Sequence, residues 1–127
     1  TVILDLGANI ECSNENLVQF ALMGDIFAQS VFGIENPRIG LLNVGSELIK
    51  GNNIVKQTHS DLSEIKQKIN FHGFVEGNDI NKGIVDVVVT DGNASSGRSR
   101  RLCWTAGRAV APPTDRCAVF SSRAARR

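Results

Sequence analysis

The sequence predicts an α/β fold: a mostly parallel β-sheet with helices on both faces, in three layers (α/β/α). The first observation is that short apolar runs alternate with amphipathic stretches of helical length over residues 1–92, the order of strand–helix–strand units. The second is that the runs Ile39–Leu42 and Val85–Val89 are apolar on both faces. Strands of a parallel sheet have this pattern because helices cover them on both sides.

The first strand and the first helix are the clearest elements. The apolar run Val2–Leu6 predicts a buried strand. Apolar residues at helical spacing from Leu17 to Val31 predict a helix with one apolar face, with Ser13 or Asn14 as its N-cap. Gly33 is suited to the C-cap of this helix.

The rest of the first 92 residues continues the alternation. The predicted elements are a strand at Arg38–Val44, a short helical turn at Ser46–Lys50, an amphipathic helix from Ile54 to Ile69, and strands at Phe71–Val75 and Val85–Val89. The order is β-α-β-α-β-(turn)-β. Right-handed crossovers between parallel strands are therefore expected.

The composition changes abruptly at Gly92. The first 92 residues contain one Arg and five Lys, whereas the last 35 contain eight Arg and no Lys. All eleven Ile precede the break. We therefore divide the chain into an α/β domain fragment at residues 1–92 and a basic, disordered tail at residues 93–127. A shift of reading frame or a junction with foreign sequence is the hypothesis for the tail's origin.

The overall charge of +1 conceals two unlike parts. Six basic and twelve acidic residues give residues 1–92 a charge of −6, and eight basic and one acidic residue give the tail +7. There is no apolar run long enough for a membrane span and no signal-peptide pattern, so a soluble, cytoplasmic protein is expected. The only Met is Met23, inside a predicted helix, so the first residue is expected to be an internal cut or a processed end.

Glycine turns carrying polar residues follow the predicted strands. Gly7, Gly45 and Gly92 stand at three of these ends, with Asn9 and Lys50 close behind two of them. Parallel strands place their carboxyl ends at one edge of the sheet, where ligands bind. Backbone N–H groups and the start of the next helix favour an anion there, although each glycine alone is equally well explained by a tight turn.

The common catalytic and metal motifs are missing. Neither a phosphate-binding GxxxxGK[ST] nor a dinucleotide-binding GxGxxG follows a strand. His59 and His72 are isolated and are interpreted as surface or packing residues, and Cys12 as a small buried residue. Cys103 and Cys117 complete an odd, scattered set that predicts neither a disulfide framework nor a metal site.

Six segments together resemble the phosphate acyltransferase of bacterial phospholipid synthesis (the PlsX family). They are LDLGAN at 4–9, QFALMG at 19–24, NPRIGLLNVG at 36–45, KG at 50–51, INFHGFVEG at 69–77 and VDVVVTDG at 85–92. The resemblance covers residues 1–92 nearly continuously and none of the tail.

The resemblance implies transfer of a fatty acyl group from acyl carrier protein to inorganic phosphate, giving acyl phosphate. It also implies a homodimer, peripheral association with the membrane, and no metal or cofactor. Phosphate can attack the thioester directly, so the protein has only to hold and orient an anion and to stabilise the oxyanion. The expected catalytic residues are Asn43, Lys50, Glu47 and Asp91, and the expected substrate-binding residues are Gly7, Asn9, Gly45, Gly51 and Gly92.

Departures from the family pattern leave other interpretations open. Family members extend before Thr1 and continue differently after Gly92, so the chain is expected to be an internal fragment that is inactive alone. One alternative is a non-catalytic interaction module whose basic tail binds RNA or acidic surfaces; for nucleic acid, however, Trp104 is the only aromatic residue close to the arginines. Another is an anion-binding α/β module of a related acyl or phosphoryl transferase.

Overall fold

A computed structural model describes residues 1–4, 12–43, 53–91 and the strand at 118–119. In chain order its elements are β1 (Val2–Leu4), α1 (Asn14–Phe32), β2 (Arg38–Leu42), α2 (Asn53–Glu64), β3 (Asn70–Val75), α3 (Gly77–Ile80), β4 (Val87–Val89) and β5 (Ala118–Val119). The strands form one sheet in the order β3-β2-β4-β1-β5, and each adjacent pair among them is parallel. The predicted α/β class with a mostly parallel sheet is confirmed.

Helices lie on both faces of the sheet. The chain moves in one direction from β1 to β2 to β3 and then returns to place β4 between β1 and β2. Right-handed crossovers therefore put α1 and α2 on one face and α3 on the other. Accordingly α1 packs against α2, β1 and β4, whereas Ile80, at the end of α3, packs against a cluster on the opposite face.

Alternate residues of the central strands supply two apolar cores. Val2, Leu4, Val87 and Val89 belong to the larger core, which includes the buried residues of α1 and α2. Ile3 and Val88 belong to the smaller core on the other face. The apolar residues of the central strands are therefore buried whichever way they point, as the sequence pattern predicted.

The ends of α1 follow local capping chemistry. The Ser13 hydroxyl accepts a hydrogen bond from the Asn16 N–H at 3.3 Å, and Asn16 Oδ1 accepts one from the Ser13 N–H at 3.1 Å. This reciprocal pair is a capping box in which Asn takes the usual place of Glu or Gln. At the other end Gly33 adopts a left-handed conformation with φ 67° and closes the helix.

The end of α2, the start of β4 and the pairing of β3 differ from the sequence prediction, and β4 begins at Val87 rather than at Val85. The predicted helix to Ile69 ends at Glu64, and a turn leads the chain into β3. In β3 the pairing with β2 shifts, since Ile39 pairs with Phe71 but Gly40 pairs with Gly73. The extra residue is a β-bulge, which places Phe71 and Phe74 against the same core.

Two predicted segments lie wholly or mostly outside the described residues. The predicted helical turn at Ser46–Lys50 lies outside the described residues. So does most of the tail predicted to be disordered. Within that tail, Ala118 and Val119 pair with Val2 and Ile3 as the two-residue strand β5.

We predict that Gly24→Ala destabilises the protein despite the better helix propensity of Ala. A methyl group on Gly24 would overlap Val87 Cγ1 and come within 3.0 Å of Leu4 Cδ1. Val87 is fully buried in the central strand, so it has no room to move away. A propensity gain of about 1 kcal/mol set against an overpacking cost of about 1–3 kcal/mol leaves a net loss of up to about 2 kcal/mol.

Urea unfolding of the two proteins measures this difference. Ser30→Ala, at an exposed position of the same helix, is the matched control and should change the free energy of unfolding by no more than about 0.5 kcal/mol. A more stable Gly24→Ala variant would show that the α1–β4 contact is looser than described.

His59 of α2 packs against two aromatic rings of β3, and this packing makes the stability of the protein depend on pH. Its ring lies 4.4 Å from the ring of Phe74 and 5.3 Å from that of Phe71, measured between centroids. Burial against these rings, and secondarily the charge of Lys66, hold the pKa of His59 below its ordinary value of 6.5. The neutral imidazole is therefore the form that the folded state prefers.

The stability of the protein should consequently fall as the pH drops below 6.5, the ordinary value for His. The folded state binds the His59 proton more weakly than the unfolded chain does. His59 therefore costs no stability above the unfolded pKa. The free energy of unfolding decreases as the pH falls from the unfolded pKa through the folded pKa. Free energies of unfolding measured between neutral and mildly acidic pH test this. His59→Leu should flatten the profile, whereas His72→Gln, at an exposed position of β3, should retain the fall. An unaltered slope in His59→Leu would assign the effect to another group.

Candidate functional site

The carboxyl edge of the sheet gathers the polar residues that follow the strands. Asn43 follows β2, Glu76 follows β3, and Thr90 and Asp91 follow β4. Because all of these strands are parallel, their ends meet at one edge, in the order β3, β2, β4, β1. This is the edge at which open α/β sheets bind ligands.

The register of the central strands places two predicted site residues at the same level. Leu41 of β2 pairs with Val89 of β4. Asn43 and Asp91 each lie two residues beyond that pair, on strands whose spacing in a sheet is about 4.8 Å. If this register continues past the strand ends, Asn43 and Asp91 fall at the same level of the edge.

Asn43 is held firmly by the main chain. Its N–H donates to the carbonyl oxygen of Val75 at 3.0 Å, extending the β2–β3 ladder one residue past the strand. Only 7% of the residue is exposed. The main chain therefore fixes the position of Asn43 at this edge.

Thr90 is a buried polar residue that the sequence analysis did not select. Its N–H donates to the carbonyl oxygen of Leu4 at 2.7 Å, which links the end of β4 to the end of β1. Its hydroxyl donates to the carbonyl oxygen of Asp91 at 2.9 Å, and none of the residue is exposed. Thr90 therefore fixes the main chain at Asp91. The sequence did not indicate this role because Thr90 extends a run of β-branched residues that is typical of a strand.

Carboxylates make the β3 end of the edge unsuitable for an anion. Asp79 Oδ2 accepts a hydrogen bond from the Glu76 N–H at 3.0 Å, at the start of α3. That backbone hydrogen bond, followed by the hydrogen bond from Lys82 at 2.9 Å, holds the pKa of Asp79 below its ordinary value. The start of α3 is thus neutralised by a carboxylate of its own.

The start of α2 has a different charge. The first turn of α1 contains Glu15 and a closed capping box, whereas the first turn of α2 contains no acidic residue and includes Lys56. Of the described helix starts, that of α2 is thus the one whose first turn contains no acidic side chain to repel an anion. The connection that leads to it from β2 contains the predicted Gly45, Glu47, Lys50 and Gly51.

The remaining predicted site residues are not placed by the structure. Gly7, Asn9, Gly45, Glu47, Lys50, Gly51 and Gly92 lie outside the described residues, so their roles stay predictions. Cys12 is buried with 7% exposure, and His72 is exposed on β3, as expected of packing and surface residues. Among the residues that the structure describes, no group of three or more His, Cys, Asp or Glu side chains is arranged to hold a metal ion.

Comparison with known proteins identifies the family. Residues 1–99 match the family model described as "Fatty acid synthesis protein". The chain belongs to this family. The resemblance to the PlsX phosphate acyltransferases, drawn from the segments of residues 1–92, is thereby confirmed.

Similar proteins carry the name phosphate acyltransferase. The protein of Paramagnetospirillum magneticum is 59% identical over 92 residues, which are 72% of this chain and 26% of the relative. That of Ehrlichia ruminantium is 57% identical over 91 residues, 72% of this chain and 27% of the relative. That of Caldanaerobacter subterraneus is 54% identical over 92 residues, again 72% and 27%. The chain therefore spans about a quarter of the length of these relatives.

In the described part of the chain, each helix is too short or too polar to cross a bilayer.

We predict that Thr90→Val loosens the main chain at Asp91. The substitution keeps the shape of the side chain but removes the hydroxyl that donates to the Asp91 carbonyl. Loss of one such hydrogen bond should lower the free energy of unfolding by about 1 kcal/mol. The ¹³C resonance of the Asp91 carbonyl should move as well, because that carbonyl loses its donor.

Thr90→Ser is the matched control, since it retains the hydroxyl and removes only a methyl group. It should leave the carbonyl resonance close to that of the unmodified chain. If Thr90→Val left the resonance in place, the hydrogen bond would not hold Asp91 in solution.

Proposed function

We propose that this sheet edge is part of an enzyme that transfers a fatty acyl group from acyl carrier protein to inorganic phosphate. A phosphate oxygen attacks the thioester carbonyl, the carbon–sulfur bond breaks, and acyl phosphate and the free thiol of the carrier are released. The observation that carries the proposal is the 54–59% identity to proteins named phosphate acyltransferase.

The described edge supports this chemistry. Direct attack by phosphate requires no Ser or Cys nucleophile, and the site has only to orient the anion and to stabilise the charge on the thioester oxygen. We assign phosphate or thioester contacts to Asn43, Lys50 and Asn9, with Glu47 and Asp91 positioning them. Asn43 and Asp91 lie at one level of adjacent strands, which is consistent with contacts to one small substrate.

Backbone N–H groups complete the proposed anion site. Gly7, Gly45, Gly51 and Gly92 stand in connections that follow strands, where glycine allows the backbone to come close to a ligand. The lack of an acidic residue in the first turn of α2 favours phosphate beside the β2–α2 connection. As further partners we propose acyl carrier protein, a second copy of the intact enzyme, and the membrane surface. The protein is proposed to act in the cytoplasm.

The decisive experiment uses an exchange chimera. We define this as the Paramagnetospirillum magneticum relative with its 92 matched residues replaced by the matched residues of this chain. With acyl carrier protein thioester and phosphate it should form acyl phosphate, detected by trapping with hydroxylamine. Thioester consumption that yields no acyl phosphate would overturn the proposed reaction.

Within the chimera, Lys50→Ala should raise the phosphate concentration needed for half-maximal rate. Loss of a charge-assisted contact of about 1.5–3 kcal/mol corresponds to a roughly 10–100-fold increase in KM for phosphate. The KM for the thioester should change much less. Lys68→Ala, at an exposed lysine after α2, is the matched control. An unchanged phosphate dependence would remove Lys50 from the site and leave the reaction itself intact.

A further inference from the structure

The two sides of the sheet end differently. On one side, β3 has two features that discourage a further strand from pairing with it. These are the bulge opposite Ile39 and Gly40, and Gly73 with a φ of 114°. A bulge bends and twists the strand, and this removes the flat edge that another strand needs. The β3 side is therefore protected as a free edge.

β1, at the other side of the sheet, has no such protection. Its residues Val2–Leu4 pair with β4 in an unbroken register and include no Gly, no Pro and no charged residue. An apolar strand of this kind is a template for pairing with another chain unless something covers it. The outer edge of β1 thus requires a partner.

Ile3 is the residue of β1 that presents main-chain groups to this outer edge. The Val2 N–H donates to the carbonyl oxygen of Asp86. The Leu4 carbonyl oxygen accepts from the Thr90 N–H. Both residues therefore direct these groups towards β4, and the residue between them directs its own N–H and carbonyl to the opposite side. Because Ile3 is only 2% exposed, these groups need partners from the chain itself.

The tail supplies that partner. The strand β5 (Ala118–Val119) pairs in parallel with Val2 and Ile3. It lies within CAVF at 117–120, which is the longest apolar run of the tail. Extended peptides bind to sheet edges in the same way, with main-chain hydrogen bonds providing the affinity.

We propose that the outer edge of β1 is a binding site for an extended apolar peptide in parallel orientation, and that residues 117–120 occupy it from the same chain. The tail then has a function that its basic composition did not indicate, because it covers the unprotected side of the sheet. The proposal depends on strand pairing and not on the proposed reaction, so either can fail without the other.

Amide hydrogen exchange of Ile3 measures the occupancy of this site in the full 127-residue chain. The double variant Ala118→Pro/Val119→Pro removes both N–H groups of β5, and Pro is not tolerated at paired positions of a strand. The Ile3 amide should then exchange at least about tenfold faster than in the unmodified chain. The Leu4 amide faces β4, so its rate should stay unchanged and reports that the fold is intact. Ala124→Pro/Ala125→Pro, in the tail but outside the apolar run, is the matched control and should leave Ile3 slow.

A free peptide then tests whether the edge binds a strand. A peptide of residues 114–123, added in excess to the double-proline variant, should make the exchange of Ile3 slow again. The same peptide with prolines at its two β5 positions should have no effect. The proposal would be overturned if Ile3 stayed slow in the variant or if the peptide failed to slow it. Protection of Ile3 in the variant that grows with protein concentration would overturn it in favour of pairing between two copies.

Two further measurements apply if the double-proline variant does not fold. Paired strands lie about 4.8 Å apart, so nuclear Overhauser contacts between backbone protons of Ile3 and Val119 should be seen in the unmodified chain. The milder Val119→Gly weakens the strand and should make Ile3 exchange roughly two- to fivefold faster, and the peptide should reverse this change. Absent contacts, or an exchange rate that Val119→Gly leaves unchanged, would each contradict the proposed pairing.

Discussion

The position of β4 between β1 and β2 is the constraint on which the rest of the structure depends. Asp86 lies just before β4. Its carbonyl oxygen accepts a hydrogen bond from the Val2 N–H, and its own N–H donates to the carbonyl oxygen of Arg38, both at 2.8 Å. Its carboxylate accepts from the Arg38 N–H at 2.8 Å and from the Arg38 guanidinium at 3.2 Å. One residue thus sets the register of the central strand against both neighbours.

The electrostatics of this arrangement favour a charged Asp86. Burial alone would raise the pKa of its carboxyl, but the hydrogen bonds and charge of Arg38 outweigh that effect and leave the pKa below its ordinary value. Because the register begins at this amino edge, it determines which residues emerge together at the other end. With Leu41 opposite Val89, Asn43 and Asp91 are brought to one level.

Much of the fold was predictable because it follows from local patterns. The four longer apolar runs became β1 to β4, and the caps at Ser13 and Gly33 ended α1 where the sequence indicated. What the patterns missed depends on contacts between distant residues. The bulge in β3 arises from pairing with β2, and β5 is defined only by its pairing with β1. The helix α3 has four residues, too few to show a period.

The candidate site was predictable in kind but not in arrangement. Glycine turns after strands indicated which edge would carry the chemistry, and the edge residues Asn43 and Asp91 follow strands as expected. Asn43 and Asp91 fall at the same level only because of the register between β2 and β4. That register cannot be read from either segment alone. Thr90 was missed for a related reason. Its side chain type suits a strand, and its role becomes visible only when its hydroxyl is seen to donate to Asp91.

The charges at the described helix starts bear on the proposed position of phosphate. All described helices that follow a strand begin at the carboxyl edge and present the positive end of their dipole there. In α3 this end is already taken by Asp79, and in α1 by a closed capping box with Glu15 beside it. The first turn of α2 contains no acidic residue. Among the described helix starts, that of α2 therefore agrees best with the proposed phosphate position. In the proposed reaction phosphate itself attacks the thioester, so such an edge needs only to orient the two proposed substrates.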